Sequence, residues 1–493
     1  MLTHDTQRAI RISLWIVAAA LSLSRFFWLA ADFPNYSPWM IDPAKFTDEG
    51  WWANAAVMHS LVGHWHTAGD YNPATALPVW PLLLGALFHF SGVSIVAARA
   101  FSVVFSLATL AVIHALVRRY AESPIVAQAA VVLMAASPFA FVFSRLAILD
   151  TLVVFEFCLM LLVASRAASS GKQRIWSLVA LALLTTAALL TKTTVAVLIP
   201  AVMWIAFRAL AGSCSVRSGW RALFEAFLAV AVAPLALVKL WVLFVSWLGY
   251  GADYAYFFNV NAMPDIDPAQ TLHWLSDLAR NGFWIDRLLY PVALAILLVS
   301  LVLRRRLWRN PLFTASWLAL AGAAAFVFSR QDDYAPRYFL VMLVPIVFIV
   351  VLAFDDALRS SRSWAGILAA VMAIAVIFNS VAIGNFLSHR TYQLYGAAQD
   401  IAAQVRADRN RSQLVFGVSA AEVGLIAGLP SINGAYGIDE MAAKVAHYKP
   451  GWYLAWNDEI DHDAIAGHTI VPVASYKIFD DDGRTTLTLY KLQ

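Results

Sequence analysis

The chain reads as an all-α polytopic membrane protein of about 11 transmembrane helices, followed by a small C-terminal extracytoplasmic α/β domain. Three observations predict this. Of the 493 residues, 61% are hydrophobic and 13% charged, whereas a soluble domain is about half apolar and about a quarter charged. Long apolar runs recur along the first four-fifths of the chain. Ordinary charge density and turn signals return only after residue 386.

The runs long enough to cross about 30 Å of hydrocarbon lie at 12–31, 96–117, 124–142, 151–167, 175–190, 193–210, 222–247, 288–303, 311–329, 338–354 and 364–385. The first reads as a span and not a cleavable signal, since no small-residue cleavage pattern follows it. Basic clusters fall in alternate connections: Arg8/Arg11, Arg118/Arg119, Arg166/Lys172/Arg174, Arg208/Arg217/Arg221, Arg304/Arg305/Arg306/Arg309 and Arg359/Arg362. The Lys/Arg bias places these in the cytoplasm, so the N-terminus is expected inside and the C-terminus outside, in a cell inner membrane. Loop 32–95 is then external. Its run Leu77–Phe90 is short, Pro-interrupted and carries His89, and counting it as a span would invert every later cluster. It and segment 54–66 read as surface helices. The tail reads as helix 391–407, strand 413–418, helix 419–427, helix 438–448, strand 451–456 and a hairpin of 470–479 with 485–491. The expected division is thus 1–385 and 386–493.

The formal charge of +4 is small and the basic residues sit in short clusters between apolar runs, which suits membrane orientation rather than a nucleic-acid partner. Cys158 and Cys214, in a span and a cytoplasmic loop, make neither a disulfide framework nor a zinc site.

The residues pointing to chemistry begin with Lys45-Phe46-Thr47-Asp48-Glu49-Gly50-Trp51-Trp52-Ala53. Carboxylates beside a bilayer are costly unless paired, solvated in a cavity or used. Neighbouring carboxylates at a helix start point apart. One can face a cavity as a base while the other caps a helix or meets a cation; both also suit the first turn of a surface helix. Asp150 precedes Thr151-Leu152-Val153, where an N-cap is equally suited. Arg145, Lys192, Arg330 and Arg337 are external cations near span ends, fit for a phosphate or for lipid headgroups. Glu156, inside a span, needs a partner; Arg25 and Lys239 are the candidates. His59, His64, His66, Asp70 and His89 read mainly as interfacial polar residues. His273, Asp253, Asp265, Asp267 and Asp277 read as a solvated lid, with Tyr250, Tyr254, Tyr256, Phe257 and Phe258 as aromatics that anchor at the interface or stack on a sugar or prenyl chain.

The chain resembles the GT-C glycosyltransferase superfamily, in the branch of protein O-mannosyltransferases and the bacterial lipid A aminoarabinose transferase. The motifs that carry the likeness are Asp48-Glu49-Gly50-Trp51-Trp52-Ala53, with Gly50 where Ala is usual, Gly63-His64-Trp65, Pro78-Val79-Trp80-Pro81-Leu82-Leu83, Ser144-Arg145-Leu146-Ala147-Ile148-Leu149-Asp150, Leu190-Thr191-Lys192-Thr193 and Arg337-Tyr338-Phe339-Leu340. A Lys-Pro-Pro-like segment usual in the first loop is replaced by Thr75-Ala76-Leu77-Pro78. The resemblance implies Asp48 as catalytic base and Asp150 as a second acid lining the same cavity. It implies Glu49, Trp51, Arg145, Lys192, Arg337 and Tyr338 as substrate-binding residues. The implied reaction moves a sugar, with inversion, from a polyprenyl-phosphate donor to a hydroxyl of a glycolipid, lipid A, polysaccharide or exported protein. No cofactor is required by it, although some members of the superfamily use a divalent cation, for which His64 and His66 are candidate ligands. A monomer is expected. The rival readings are a lipid-linked-sugar transporter or flippase, which would show inverted repeats, and an inactive donor-binding relative.

Overall fold

In the computed structural model the described residues are 4–33, 43–167, 171–212, 216–261, 288–329 and 336–493 without 464, 466 and 481–483, together with 269, 272 and 276. Arg330, His273, Asp265, Asp267, Asp277 and Cys214 lie outside them. Cys158 is buried.

Among the described residues, six helical segments are long and apolar enough to cross a membrane: Ile95–Tyr120, Lys172–Thr191, Thr193–Ala211, Gly219–Trp247, and those containing Leu340–Ser360 and Arg362–Ser388. Shorter apolar helices include Val79–Ser91, Pro124–Ala136, Leu289–Val302 and Pro311–Phe326. The expected span 124–142 is divided at Ser137, because Pro138 opens the separate helix Pro138–Phe143. The expected first span stops early. Helix His4–Ser24 ends where Arg25 turns inward and donates to the Ala135 carbonyl and Ser144 Oγ. Leu340–Ser360 is the central helix, buried continuously over residues 343–357. It packs against Pro311–Ser329, Arg362–Ser388, Pro124–Ala136 and Leu289–Val302.

The first loop holds the two helices expected there, Asp48–Val62 and Val79–Ser91. Each ends at a glycine with positive φ, Gly63 at 82° and Gly92 at 68°, where a side chain would be strained. Helix Gly251–Val260 covers this loop. Asp253 is buried there and not part of a solvated lid. It accepts from Asn72 at 2.8 Å and meets His66 at 3.1 Å, and the His66 ring stacks on Tyr250. His59 stacks on Trp65. Phe257 lies beneath Trp52 and Tyr71.

The tail follows its expected pattern with one addition. Helix Gln393–Ala407 leads to β1 (Val415–Gly417), helix Ala420–Ala427, the unexpected β2 (Ser431–Asn433), helix Met441–Tyr448, β3 (Trp452–Trp456), β4 (Ile470–Lys477) and β5 (Thr486–Leu492). The sheet order is β2-β1-β3-β5-β4. β1 runs parallel to both neighbours, and β5 runs antiparallel to β3 and β4. Strand alternation gives this sheet two apolar faces. Phe416, Ile432, Tyr453 and Tyr490 pack with Val445 of helix 441–448. Val415, Trp452, Leu454, Trp456 and Leu489 join one core with Phe46, Ala53, Val57, Trp80 and Leu84 of the first loop. The tail and the first loop therefore share apolar burial, and the inner strands β1 and β3 are covered on both faces.

A buried ion pair pins this junction. Lys444 Nζ lies 3.1 Å from Asp70 and donates to the carbonyls of Asn433 at 2.5 Å and Tyr436 at 2.8 Å. Burial pushes the Asp70 carboxyl up to about 6, against the pull of Lys444. Removing one partner leaves an uncompensated buried charge. Lys444→Met should therefore lower stability by about 3–5 kcal/mol in thermal or denaturant unfolding, and Asp70→Asn placed on Lys444→Met should recover part of that loss. A change below about 0.5 kcal/mol for Lys444→Met would show that the pair does not hold the loop to the tail.

Candidate active site

Four separate segments bring one charge each to a single place. Asp48 opens helix 48–62, and Asp150 lies in the first turn of helix Leu149–Ser165. Both carboxylates gain from the exposed amides of their helix starts. Lys192 follows helix 172–191 in extended backbone, and Arg337 sits in the short turn Pro336–Phe339 ahead of the central helix. An Arg337 guanidinium nitrogen lies 2.5 Å from Asp48 Oδ2, and its Nε is 3.8 Å from Asp150 Oδ2. Lys192 Nζ is 2.6 Å from Asp150 Oδ1. The Tyr338 ring lies beneath both cations, 4.7 Å from Lys192 Nζ and 5.6 Å from Arg337 Cζ. Asp48, Asp150 and Arg337 are buried. Two acids and two bases sum to no formal charge, which is what makes burying the group tolerable. Asp150 is not an N-cap: helix 149–165 is capped at Ile148.

Glu49 points elsewhere. Arg99, from helix 95–120, donates through Nε at 2.8 Å and through a terminal nitrogen at 2.5 Å to its two carboxylate oxygens. Ala147 N donates to the same carboxylate at 2.6 Å. Arg99 also donates to the carbonyls of Leu29 and Ala31, at 2.7 Å each. One fork-shaped cation thus ties helix 48–62 to the turn that follows the first helix and, through Glu49, to the segment that leads into Asp150.

Trp51 faces the tail. Its Nε1 donates to Val418 O at 3.3 Å, and its ring meets Tyr71 and Tyr436 edge-on. Arg145 also lies apart from the Asp48 group, against Phe27, Trp28, Phe141 and Phe386. Glu156 accepts from Thr191 Oγ1 at 2.9 Å, so its partner is neither Arg25 nor Lys239. Thr191, immediately before Lys192, reaches it first. Among the described residues no group of three or more His, Cys, Asp or Glu side chains is placed to hold a metal.

Two contributors went unnoticed in the sequence. Arg99 had a signal, a lone charge within the apolar run 96–117. Glu422, in tail helix 420–427, had none. Its Oε2 accepts from Gly50 N at 2.7 Å, so the tail supplies an acceptor to the first turn of the helix that starts at Asp48. Burial pushes the Glu422 carboxyl up to about 8, aided by the neighbouring Glu49 charge. Gly50 is required by the same contact. A Cβ there would stand 2.2 Å from Glu422 N and 2.3 Å from the Ala421 carbonyl carbon.

Comparisons with known proteins bear on the fold. Residues 73–242 match the family model described as dolichyl-phosphate-mannose-protein mannosyltransferase. No curated protein matches the sequence. Among solved structures, ArnT from Cupriavidus metallidurans bound to undecaprenyl phosphate superposes with a TM-score of 0.62 at 15% identity, over 96% of this chain and 98% of that one. The arabinofuranosyltransferase AftD from Mycobacteria superposes at 0.50 and 14% identity, over 98% of this chain and 40% of that one. The GT-C resemblance read from the sequence is borne out in the fold.

Gly50→Ala should cost about 1–3 kcal/mol through overpacking against the backbone of residues 421–422, seen as a lower unfolding midpoint. A neutral effect would mean that this helix crossing gives way easily. Glu422 has its own pH signature. The folded chain keeps a proton that the unfolded chain releases near 4.5, so the group's contribution is complete below about 4.5 and is lost as pH rises through about 8. Glu422→Gln keeps an acceptor for Gly50 and cannot ionise. Its melting temperature should gain on the wild type steadily from pH 5 to pH 8.5. A constant gap across that range would refute the assignment.

Proposed function

Starting from the GT-C scaffold of membrane glycosyltransferases, we propose that this protein moves a sugar from a polyprenyl-phosphate-linked donor to a hydroxyl of a cell-envelope acceptor, with Asp48 as the base. The observation that carries the reading is the buried cluster of Asp48, Arg337, Asp150 and Lys192. A lipid phosphate is already a good leaving group, so the reaction needs no strong acid. The acceptor hydroxyl is a poor nucleophile and does need a positioned base. One carboxylate beside fixed cations is the set this chemistry asks for, whereas glycoside hydrolysis uses two carboxylates flanking the bond.

The pairing also suggests how the base is kept in check. In the free chain Asp48 and Asp150 neutralise Arg337 and Lys192. A phosphate entering the site competes for those cations, and Arg binds phosphate through two parallel N–H groups. Donor binding thereby releases the carboxylates as the sugar arrives. Asp48 takes the proton from the acceptor hydroxyl, and the hydroxyl oxygen forms the new bond at the anomeric carbon. The bond from that carbon to the phosphate oxygen breaks on the opposite face. The electron pair leaves with the lipid phosphate, whose charge Arg337 and Lys192 stabilise in a water-poor setting. The anomeric centre inverts. The undecaprenyl phosphate bound by the structurally similar ArnT is a ligand of the same class. In this reading the site opens at the extracytoplasmic face. The first-loop helices and the tail shape it, Glu49 and Trp51 hold its walls, and the acceptor is a glycolipid, lipid A, polysaccharide or exported protein.

The test is purified protein incubated with a panel of polyprenyl-phosphate sugars and envelope extract, with mass spectrometry of the products. Asp48→Asn should lower turnover about 10²–10⁴-fold while donor binding holds or tightens, because Arg337 is freed. Unchanged turnover would sink the role of Asp48. Donor exchange across vesicles without any glycosylated product would favour a transporter.

A further inference from the structure

Arg145 is a buried cation whose contacts share no residue with the Asp48 cluster. One of its terminal nitrogens donates to the carbonyls of Phe27 at 2.5 Å and Trp28 at 3.1 Å. Its Nε and its other terminal nitrogen are buried and have no hydrogen-bond partner. It stands beside Arg25, which is fully buried and satisfied by Ser144, Leu21 and Ala135. The two guanidinium groups lie over the same Phe141 ring, at 5.0 Å and 5.4 Å; Arg25 sits in the repulsive field of Arg145, and Arg145 in that of Arg99. Among the described residues no carboxylate acts on either. Buried charges are ordinarily paired, and a buried donor without an acceptor is costly.

Arg145 lines a narrow cleft with Trp28, Asp32, Phe386, His389 and Arg390. Asp32 does not supply the missing negative charge, since its two oxygens accept from Leu394 N and Tyr395 N at 2.9 Å each. Arg390 stands at the mouth, exposed, with its guanidinium 4.2 Å from the centre of the Trp28 ring. The cleft has room for about one oxygen-sized group. The mouth is flanked by Phe26, Phe27 and Trp28, all exposed, an aromatic cluster of the kind that settles at headgroup level.

We propose that this cleft is a second anion site, which takes the phosphate of a membrane lipid. One phosphate oxygen reaches a vacant N–H of Arg145, Arg390 closes over the others, and the lipid body lies along Phe26 and Phe27. Arginine suits this role because its planar fork matches phosphate geometry and its charge survives burial. The inference stands apart from the sugar-transfer reading, because it rests on none of Asp48, Asp150, Lys192 or Arg337.

The experiment uses full-length protein in detergent with a photoactivatable phosphatidic acid, followed by mapping of the labelled peptides. Label should fall on segments 26–33 and 386–395. Arg390→Gln, an exposed change that folding tolerates, should reduce it about tenfold, as the loss of one charged hydrogen-bonding partner predicts. Arg145→Gln should abolish it, and Arg145→Lys should restore part. Arg337→Gln should leave it unchanged, which separates this site from the donor site. Millimolar inorganic phosphate as competitor distinguishes the sources: label that survives it identifies a lipid phosphate, and label that vanishes identifies a free anion and overturns the lipid assignment. Absence of label from both segments, or label indifferent to Arg145→Gln and Arg390→Gln, overturns the site altogether.

Discussion

A charged fork inside an apolar helix sets the direction of everything at this site. Arg99 takes both oxygens of Glu49, and the same carboxylate accepts from Ala147. Because Glu49 follows Asp48 in one helical turn, fixing one side chain fixes the direction of the other. Because Ala147 lies just ahead of helix 149–165, the clamp also sets where Asp150 begins. Two carboxylates from distant parts of the chain therefore meet the same arginine without a shared element. An ion pair held by several hydrogen bonds in a dry setting can do this, while an exposed pair would not.

The tail belongs to the same construction. One face of its sheet fills the core beneath helices 48–62 and 79–91. Glu422 supplies an acceptor to the first turn that carries Asp48 and Glu49, and Gly50 leaves the space that lets it approach. Three acids, Asp48, Glu49 and Glu422, crowd this spot. Only two have cationic partners, Arg337 and Arg99. The third escapes repulsion by holding a proton, which follows from burial without a cation of its own.

Much of this was legible in the sequence, and the limit is physical. The two loop helices followed from apolar periodicity with Pro and Gly punctuation. Seven of the eight tail elements between residues 393 and 492 were visible as local patterns, while the three-residue β2 was too short to leave one. Asp48, Asp150, Lys192 and Arg337 could be named as a group because each sits at the edge of an apolar run. Which charge meets which could not be read. Glu156 takes a neighbouring threonine where an arginine was expected, and Asp253 is a buried strut where a solvated lid was expected. Partner choice depends on side-chain direction across tens or hundreds of residues, and composition carries no record of it. Gly50 shows this most plainly. It stood out as a departure from the related motif, yet its reason lay in a helix far along the chain.

That distance matters for how the protein is made. The hydrogen bond from Gly50 to Glu422 joins residues 372 positions apart, and the apolar surface around it is completed from β3 and β5. A ribosome has threaded nearly all the membrane helices before these partners emerge. During that interval the first-loop helices have no tail to bury them, and non-local contacts of this kind form slowly. The first-loop helices therefore gain their full apolar cover only when the last strands fold, and the period just after insertion is when the protein most needs protection from aggregation.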